Sequence, residues 1–209
     1  MTELKIDDII KFGKYDWWVL DVQDGKALIL SDRPIEKRKY DKDFDYKYAD
    51  YLTVTWDSCD LRKYLNGEFY DTFSPQEKVR IVKTTVTTNN NPWWPERTGG
   101  MNTDDWIFLL SIEEVVQYFG DSGQLANKNP DNFRTINDQF NDARIALNED
   151  GIVAEGNGGW WLRSPGYRGV SAAFVYGFGV INICGKPVND PLMAGGGGVR
   201  PALWLELSK

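Results

Sequence analysis

The fold is decided by two segments of the C-terminal region, Trp160-Trp161-Leu162-Arg163-Ser164-Pro165-Gly166 and Gly198-Val199-Arg200-Pro201-Ala202-Leu203-Trp204. Each combines large aromatic and aliphatic residues with one Arg and one Pro, and the apolar residues are typical of a core. The residues between them, 167–197, are rich in glycine, aromatic and small residues. No Glu or Gln occurs from Ser164 to Leu205, although the chain is acidic. We call the two segments the frame and residues 167–197 the insert. Core-like segments around an insert of unusual composition predict a scaffold that presents a surface.

Within the insert, apolar residues and glycines alternate at short intervals. Val175, Gly179, Ile181, Gly185 and Val188 form a sparse ladder, a pattern typical of short strands joined by tight turns. The aromatic residues of the insert have two interpretations at this point. They either pack inward in a glycine-rich β region, as most aromatic residues do, or they face a ligand.

Composition limits the classes of function that are open to the chain. The 209 residues fit one domain, residues 1–209, and the net charge of −7 argues against binding nucleic acid through a basic face. The chain has no apolar run of about 18 residues, so we expect no membrane span. The N-terminus lacks the features of a signal peptide. The oligomeric state stays open.

The chain contains no His and two cysteines, Cys59 and Cys184. The missing His excludes a Ser-His-Asp or Cys-His catalytic set and makes a zinc site implausible. The segment Asp41–Asp45 resembles the start of a calcium loop, but the required Gly and distal Glu are absent. We therefore expect no catalytic residue, no metal and no cofactor. Whether the two cysteines pair stays open.

Local signals predict strands and helices along the whole chain. The apolar runs 17–22 and 26–31 flank Asp24-Gly25 and predict a β-hairpin, and 104–110 is predicted as a buried strand. The predicted helices are 56–65 with Asp57 or Ser58 as N-cap and Asn66-Gly67 at its end, about 75–82 after the capping box Ser74–Glu77, and 113–119 after the capping box Ser111–Glu114 with Gly120 at its end.

Two further features admit more than one role. Trp93 and Trp94 lie in a long polar loop, 89–102, and form either exposed ligand contacts or a lid pinned on the core. Arg163 and Arg200 each lie in an apolar frame, so they need partners when buried. We predict that they bond carbonyl or carboxylate groups that hold the last two strands together.

Five motifs together resemble a known bacterial and phage domain family of unknown biochemical activity. They are Tyr15-x-Trp17, Thr55-Trp56-x-x-Cys59-x-Leu61-Arg62-x-x-Leu65-Asn66, Phe108-Leu109-Leu110-Ser111-x-Glu113-Glu114, Trp160–Gly166 and Gly198–Leu203. The resemblance covers nearly the whole chain. It implies an α+β, C-type lectin-like fold of mixed short strands, two or more helices and long irregular loops. The same fold group includes the formylglycine-generating enzymes.

Some members of that family are variable proteins of diversity-generating retroelements, in which template adenines are miscopied and Asn codons change in a C-terminal region. An Asn codon altered at its first two bases gives Phe, Tyr, Gly, Val, Ile, Cys, Pro, Asp, Leu, Arg or Ser, but not Glu, Gln, Lys, Met or Trp. The missing Glu and Gln agree with this mechanism, although glycine-rich β loops that simply avoid Glu would also explain them. Lys186 and Met193 need another adenine-containing codon.

The resemblance implies a variable ligand-display region at about 167–193. Its predicted ligand-binding residues are Tyr167, Arg168, Val170, Phe174, Tyr176, Gly177, Phe178, Val180, Ile183, Cys184, Lys186, Pro187, Asn189, Asp190, Pro191 and Leu192. Asn182 and Asn189 would be unmutated positions. Exposed aromatic side chains on a fixed backbone provide rigid contact area, as in antibody loops.

The expected function is thus binding of an unknown ligand, expected to be a protein, without catalysis. The host would be a phage, a virus or a microbe that displays the chain on a virion or cell surface. Two alternatives stay open. One is an oxidoreductase of the formylglycine-generating type, which needs suitably placed reactive cysteines. The other is a calcium-dependent carbohydrate-binding lectin, although the usual acidic and amide ligand tripeptide is missing from the C-terminal region.

Overall fold

A computed structural model describes residues 4–42, 52–128, 134–147, 159–189 and 198–207. These residues form a mixture of short helices and antiparallel strands, which confirms the α+β class. In chain order the elements are β1 (Ile9–Phe12), β2 (Tyr15–Gln23), β3 (Lys26–Ser31), α1 (Asp60–Tyr64), α2 (Pro75–Lys78), β4 (Ile81–Val82), β5 (Thr84–Val86), β6 (Thr103–Asp105), α3 (Ile112–Phe119), β7 (Thr135–Ile136), α4 (Asn141–Arg144), β8 (Gly159–Pro165), β9 (Ser171–Tyr176), β10 (Ile181–Pro187) and β11 (Ala202–Glu206).

The larger sheet has five strands in the order β1-β2-β3-β11-β4. The predicted hairpin is confirmed: β2 and β3 pair up to Gln23 and Lys26, which leaves a two-residue turn. Asp24 and Gly25 both have positive φ, 50° and 74°. A turn of this kind matches the twist of the flanking strands and favours Asp-Gly.

The two frame segments belong to different sheets. Trp160–Pro165 lies in β8, at the edge of a four-stranded sheet ordered β7-β10-β9-β8, whereas Ala202–Glu206 forms β11 of the larger sheet. The segments meet where the Trp161 amide donates to the Gly198 carbonyl at 3.0 Å. The frame therefore joins the two sheets, and β9 and β10 extend from it.

The insert forms the predicted short strands, β9 and β10, joined by a tight turn. Gly179 occupies this turn with φ of +83°, and a Cβ there would lie 1.8 Å from the Asn141 carbonyl oxygen. Only glycine fits that combination of backbone conformation and close approach. Residues 190–193 of the predicted display region lie outside the described residues.

The first predicted helix, 56–65, has different boundaries in the structure, because α1 begins only at Asp60. Cys59, rather than Asp57 or Ser58, caps α1, because its sulfur accepts from the Arg62 amide at 3.4 Å. Asn66-Gly67 does not end the helical path, which continues as a π-helical turn over Leu65–Phe69. The Asn66 side chain is used elsewhere, since its amide donates to the Ile107 carbonyl at 2.8 Å.

The two predicted capping boxes are confirmed. Ser74 and Ser111 each accept from the third helical amide, and Glu77 and Glu114 bond back to the N-cap amide. Helix α2 is shorter than predicted and ends at Lys78, while α3 ends before Gly120 as expected. The predicted strand 104–110 was too long, because β6 ends at Asp105. Residues 107–110 are buried without forming a regular strand.

One cluster of buried apolar side chains takes residues from both large sheets and from α1 and α3. Its bulkiest members are the fully buried Trp17, Trp56, Trp160 and Trp161. Aromatic side chains of this size contribute much of the burial energy of a core. Among the described residues, no helix has both the length and the apolar content that crossing a membrane requires.

Candidate functional site

The predicted display residues do not share one environment. Tyr167 and Phe178 are the most clearly displayed large side chains, 42% and 49% exposed. Arg168 is exposed, and Tyr176, Cys184, Lys186, Pro187 and Asn189 are half-buried. Val170, Phe174, Gly177, Val180 and Ile183 are buried, so the predicted surface display of their side chains does not agree with their positions. Asp190, Pro191 and Leu192 lie outside the described residues.

Several of the accessible residues meet in one open cavity, which we call the groove. Its volume is about 910 Å³, within the range of ligand sites in proteins. The residues that line it are Leu52, Thr53, Trp94, Arg97, Lys128, Arg134, Tyr167, Arg168, Gly169, Val170, Ser171, Cys184, Gly185 and Pro187. The groove thus combines predicted display residues with segments far away in the sequence.

One wall of the groove is the loop between β8 and β9. Backbone contacts fix this loop: the Gly166 amide donates to the Ser171 carbonyl at 2.7 Å, and the Tyr167 amide donates to the Cys184 carbonyl at 2.7 Å. The Ser171 hydroxyl also accepts from the Arg168 amide at 2.9 Å. The backbone is therefore held without using the side chains of Tyr167 and Arg168, which are left to face the groove.

The neighbouring wall is a bulge in β10. The pairing of β9 with β10 shifts register between Asn182 and Lys186. Gly185 supports the bulge with φ of +74°, and the Asn182 side chain accepts from its amide at 2.8 Å. Bulges redirect side chains and are frequent next to functional sites. This one places Cys184 at the groove beside the β8–β9 loop.

Asn91 joins the tryptophan-containing loop to both walls. Its side-chain amide donates to the Pro165 carbonyl at 2.8 Å and to the Ile183 carbonyl at 2.9 Å. Its side-chain oxygen accepts from the amides of Trp93 and Trp94 at 2.9 and 3.2 Å. Asn91 is fully buried, so each of these bonds replaces one that water would otherwise make. A single side chain thus fixes where Trp94 meets the groove.

The two sequence interpretations of the tryptophan pair both apply, one to each residue. Trp93 is mostly buried, and its indole donates to the Leu125 carbonyl at 3.0 Å, which pins the loop to the core. Trp94 is half-buried and lines the groove. Its ring meets that of Tyr167 edge to face at 4.9 Å between centroids. The two rings form an aromatic wall of the groove.

The groove also carries an unusual number of positive charges. Arg97, Lys128, Arg134 and Arg168 line it, and no Asp or Glu of the described residues does. Two of the cations pack on the aromatic wall: the Lys128 ammonium lies 4.7 Å from the Trp94 centroid, and the Arg97 guanidinium lies 5.7 Å from the Tyr167 centroid. Cation–π contacts of this kind hold long side chains in place while leaving donors for a ligand.

A second group of predicted display residues lies along β9 and β10, with Phe178 in the turn. Tyr176 stacks on Phe178 at 4.9 Å and meets Phe174 edge to face at 4.6 Å. The Lys186 ammonium lies 5.0 Å from the Phe174 centroid. None of these four residues lines the groove. The display residues therefore form two groups rather than one continuous surface.

The two cysteines are free and differ in their surroundings. Cys59 is fully buried, and this burial raises the pKa of its thiol to about 12. Burial also raises the pKa of the half-buried Cys184, while the nearby charges of Arg134 and Lys128 act in the opposite direction. Because the thiolate is the reactive form of cysteine, Cys59 is chemically protected and Cys184 is the accessible thiol.

We predict that only Cys184 reacts with a thiol reagent such as dithionitrobenzoate in the native protein at pH 8. At that pH, about four units below its pKa, only about one Cys59 in ten thousand is a thiolate. Native protein should release close to one equivalent of chromophore, and protein in urea should release two. The Cys184→Ser variant should release none until it is unfolded. Rapid labelling of that variant under native conditions would contradict the burial of Cys59.

Part of the groove was predicted from the sequence. Tyr167, Arg168, Val170, Cys184 and Pro187 were predicted display residues, and Trp94 was expected to be either a ligand contact or part of a lid. The contributions of Leu52, Thr53, Arg97, Lys128 and Arg134 were not predicted. These residues lie in three segments distant from the insert, and no local motif marks them.

Comparison with known proteins places the chain in a family. The sequence profile described as "Domain of unknown function (DUF6273)" matches residues 24–207. The chain belongs to this family. The match includes every residue that lines the groove and leaves β1 and β2 outside. No match to the chain was found among curated proteins or among solved structures.

Proposed function

We propose that this protein is a ligand-binding, receptor-type protein with a C-type lectin-like fold, whose C-terminal surface is diversified by a retroelement. It performs no catalysis in this proposal. The groove and the neighbouring aromatic group of β9 and β10 are the binding surface. The ligand is a protein.

The observation that carries the proposal is that four of the predicted variable residues meet at one open site. Tyr167, Arg168, Cys184 and Pro187 were selected for their compatibility with altered Asn codons, without regard to position in space. In the structure all four line the groove. Side chains that only fill the interior of a β region are not expected to line one accessible cavity.

The way in which the loop is held supports diversification. The β8–β9 loop is fixed through backbone amides and carbonyls and through Ser171, which is not among the predicted variable positions. Substitutions at Tyr167 and Arg168 thus leave these bonds in place. A binding surface whose residues change without unfolding the protein requires this separation of scaffold from displayed side chains.

The same separation narrows the set of positions that a diversified surface uses. Val170, Phe174, Val180 and Ile183 are at most 5% exposed. Apolar side chains in a close-packed core tolerate changes of volume poorly. In the proposed system these buried positions accept a limited range of apolar residues, while Tyr167, Arg168 and Phe178 vary freely.

Sequencing the 3′ end of this gene and its flanking DNA from many sibling genomes tests the proposal. We expect substitutions at the predicted positions, each opposite an adenine of a nearby near-copy of the region. Trp161, Arg163 and Asn91 should stay unchanged. An invariant insert with no near-copy in the flanking DNA would overturn the retroelement mechanism.

One variant and one treatment separate the proposal from its alternatives. An oxidoreductase of the formylglycine-generating type would depend on Cys184, so Cys184→Ser would abolish its activity, whereas this small change at one of several groove residues should weaken ligand binding only severalfold at most. A calcium-dependent lectin would lose binding on chelation. The proposed binding should persist in excess chelator, because the described residues that line the groove supply cations rather than the carboxylates that calcium prefers.

A further inference from the structure

The charge of the groove is opposite to that of the molecule. The chain has 24 Lys and Arg against 31 Asp and Glu, for a net charge of −7. Four of those cations nevertheless line one cavity, with no described Asp or Glu among its lining residues. A concave surface lined by one sign of charge focuses the local potential and attracts ligands of the opposite charge.

Three of the four cations of the groove, Arg97, Lys128 and Arg168, are not used up by internal ion pairs. Among the described residues, Lys128 and Arg168 have no carboxylate partner within 4.0 Å, and both side chains are exposed. Among the described residues, the ion-pair partner of Arg97 is its sequence neighbour Glu96, with 3.8 Å between Nε and a carboxylate oxygen and with 40% and 59% of the two side chains exposed. Exposed ion pairs of this length contribute little to stability. The donor groups of Arg97, Lys128 and Arg168 are therefore available to a ligand.

We infer that the groove binds an acidic segment of a partner protein, whose Asp or Glu carboxylates pair with Arg97, Lys128 and Arg168. This inference rests on the proposed binding function and specifies the chemistry of its ligand. Arginine guanidinium groups bind carboxylates through paired, charge-assisted hydrogen bonds. The aromatic wall of Trp94 and Tyr167 supplies apolar contact for the backbone or an apolar side chain of the same segment.

A short acidic segment fits better than a nucleic acid. A nucleic acid is a long polyanion, and beyond the groove its phosphates would meet a protein surface that is acidic as a whole. A peptide segment concentrates a few negative charges over the groove and is neutral or variable elsewhere. The groove volume of about 910 Å³ accommodates a few side chains.

Selection from a displayed library of random heptapeptides tests the inference directly. We expect Asp and Glu to be enriched several-fold in the peptides that bind the native protein, compared with the starting library. Dissociation constants of the best synthetic peptides are then measured for two triple variants that lose the same charge. The groove variant is Arg97→Gln/Lys128→Gln/Arg168→Gln, and the matched control is Lys5→Gln/Lys11→Gln/Lys14→Gln, three exposed positions outside the groove.

The groove variant should bind the selected peptides about 100-fold more weakly, and the control variant should bind within about twofold of the native protein. Circular dichroism checks that both variants fold, and the single variant Lys128→Gln, at an exposed side chain, should still lose about tenfold. Equal binding by the two triple variants would overturn the inference. Binding of a thymidine decamer in place of acidic peptides would also overturn it and would indicate a nucleic acid.

The variant Tyr167→Ala distinguishes failure of this inference from failure of the proposed function, because it alters the groove without changing its charge. Selected peptides that lack acidic residues but lose affinity for Tyr167→Ala would leave the groove as a binding site and remove only the charge preference. Two outcomes would contradict both the binding function and its acidic ligand. Either no peptide is selected, or every selected peptide binds all groove variants as tightly as it binds the native protein.

Discussion

Replacing Asp105 by alanine is expected to lower the free energy of unfolding by about 3–5 kcal/mol, the usual cost of breaking a buried ion pair. Asp105 is fully buried in β6. One carboxylate oxygen accepts from Arg62 Nε at 2.7 Å, and the other accepts from the Trp56 indole at 2.8 Å and from the Thr103 hydroxyl at 2.7 Å. The alanine variant leaves all three donors without their partner.

Urea denaturation followed by tryptophan fluorescence measures this loss, and Asp104→Ala is the matched control. Asp104 precedes Asp105 in the same strand but is exposed, and it accepts a hydrogen bond from the Thr85 hydroxyl. Its replacement should cost less than about 1 kcal/mol, because exposed polar contacts contribute little. Similar losses for the two variants would show that the Asp105 network does not hold α1 against β6.

The sequence predicted those elements whose signals are local. Asp24-Gly25 marks a two-residue turn because few other pairs adopt its positive φ angles, and the capping boxes at Ser74 and Ser111 satisfy amides three residues away. Each of these signals acts over a few residues, so neighbouring sequence suffices to read it. The hairpin, the starts of α2 and α3 and the strands of the insert were therefore predicted correctly.

Signals that depend on distant partners were missed. Cys59 caps α1 although cysteine is not a preferred cap, because the sulfur lies fully buried beside Tyr40 and Trp56. Asn91 looked like one of several polar loop residues, yet it bonds carbonyl groups 74 and 92 positions along the chain. No pattern within a short window distinguishes such a residue from its neighbours.

The sequence indicated the part of the candidate site that lies within the insert. Compatibility with altered Asn codons depends on residue type alone, and it pointed to the β8–β9 loop and to the β10 bulge as parts of a surface. Residue type does not distinguish exposed from buried positions, so Phe174 and Ile183 were predicted as display residues although both are buried. The place of Arg97 and Lys128 in the groove follows from the three-dimensional fold. The positive charge of the groove was therefore invisible in an acidic sequence.

The two arginines of the frame have the predicted kind of partner but hold different elements together. Arg200 is buried, and its guanidinium donates to the Ser31 carbonyl at 2.8 Å, near the end of β3. Burial lowers the pKa of this guanidinium to about 10. Arg163 bonds α3 and the β5 region instead of β11. The two arginines thus tie the frame to elements that precede it in the chain, namely β3, the β5 region and α3.

Replacing Arg163 by glutamine is expected to cost about 3–5 kcal/mol of unfolding free energy, for the same physical reason as at Asp105. Arg163 is 4% exposed. Its guanidinium donates to Glu114 at 2.7 Å, to the Leu109 carbonyl at 2.6 Å and to the Thr87 carbonyl at 3.1 Å. The shorter, neutral amide cannot reach all three, so it removes donors from the Glu114 carboxylate and from buried carbonyl groups.

The matched control is Arg168→Gln, five residues along the chain in the exposed β8–β9 loop. This variant should unfold within about 0.5 kcal/mol of the native protein in urea, yet it should weaken the binding of acidic peptides. Arg163→Gln should show the reverse at temperatures where it remains folded, with reduced stability and little change in peptide affinity. Equal destabilisation by the two variants would mean that the loop side chains support the fold. In that case the separation of scaffold from displayed surface, on which the binding proposal depends, would not hold.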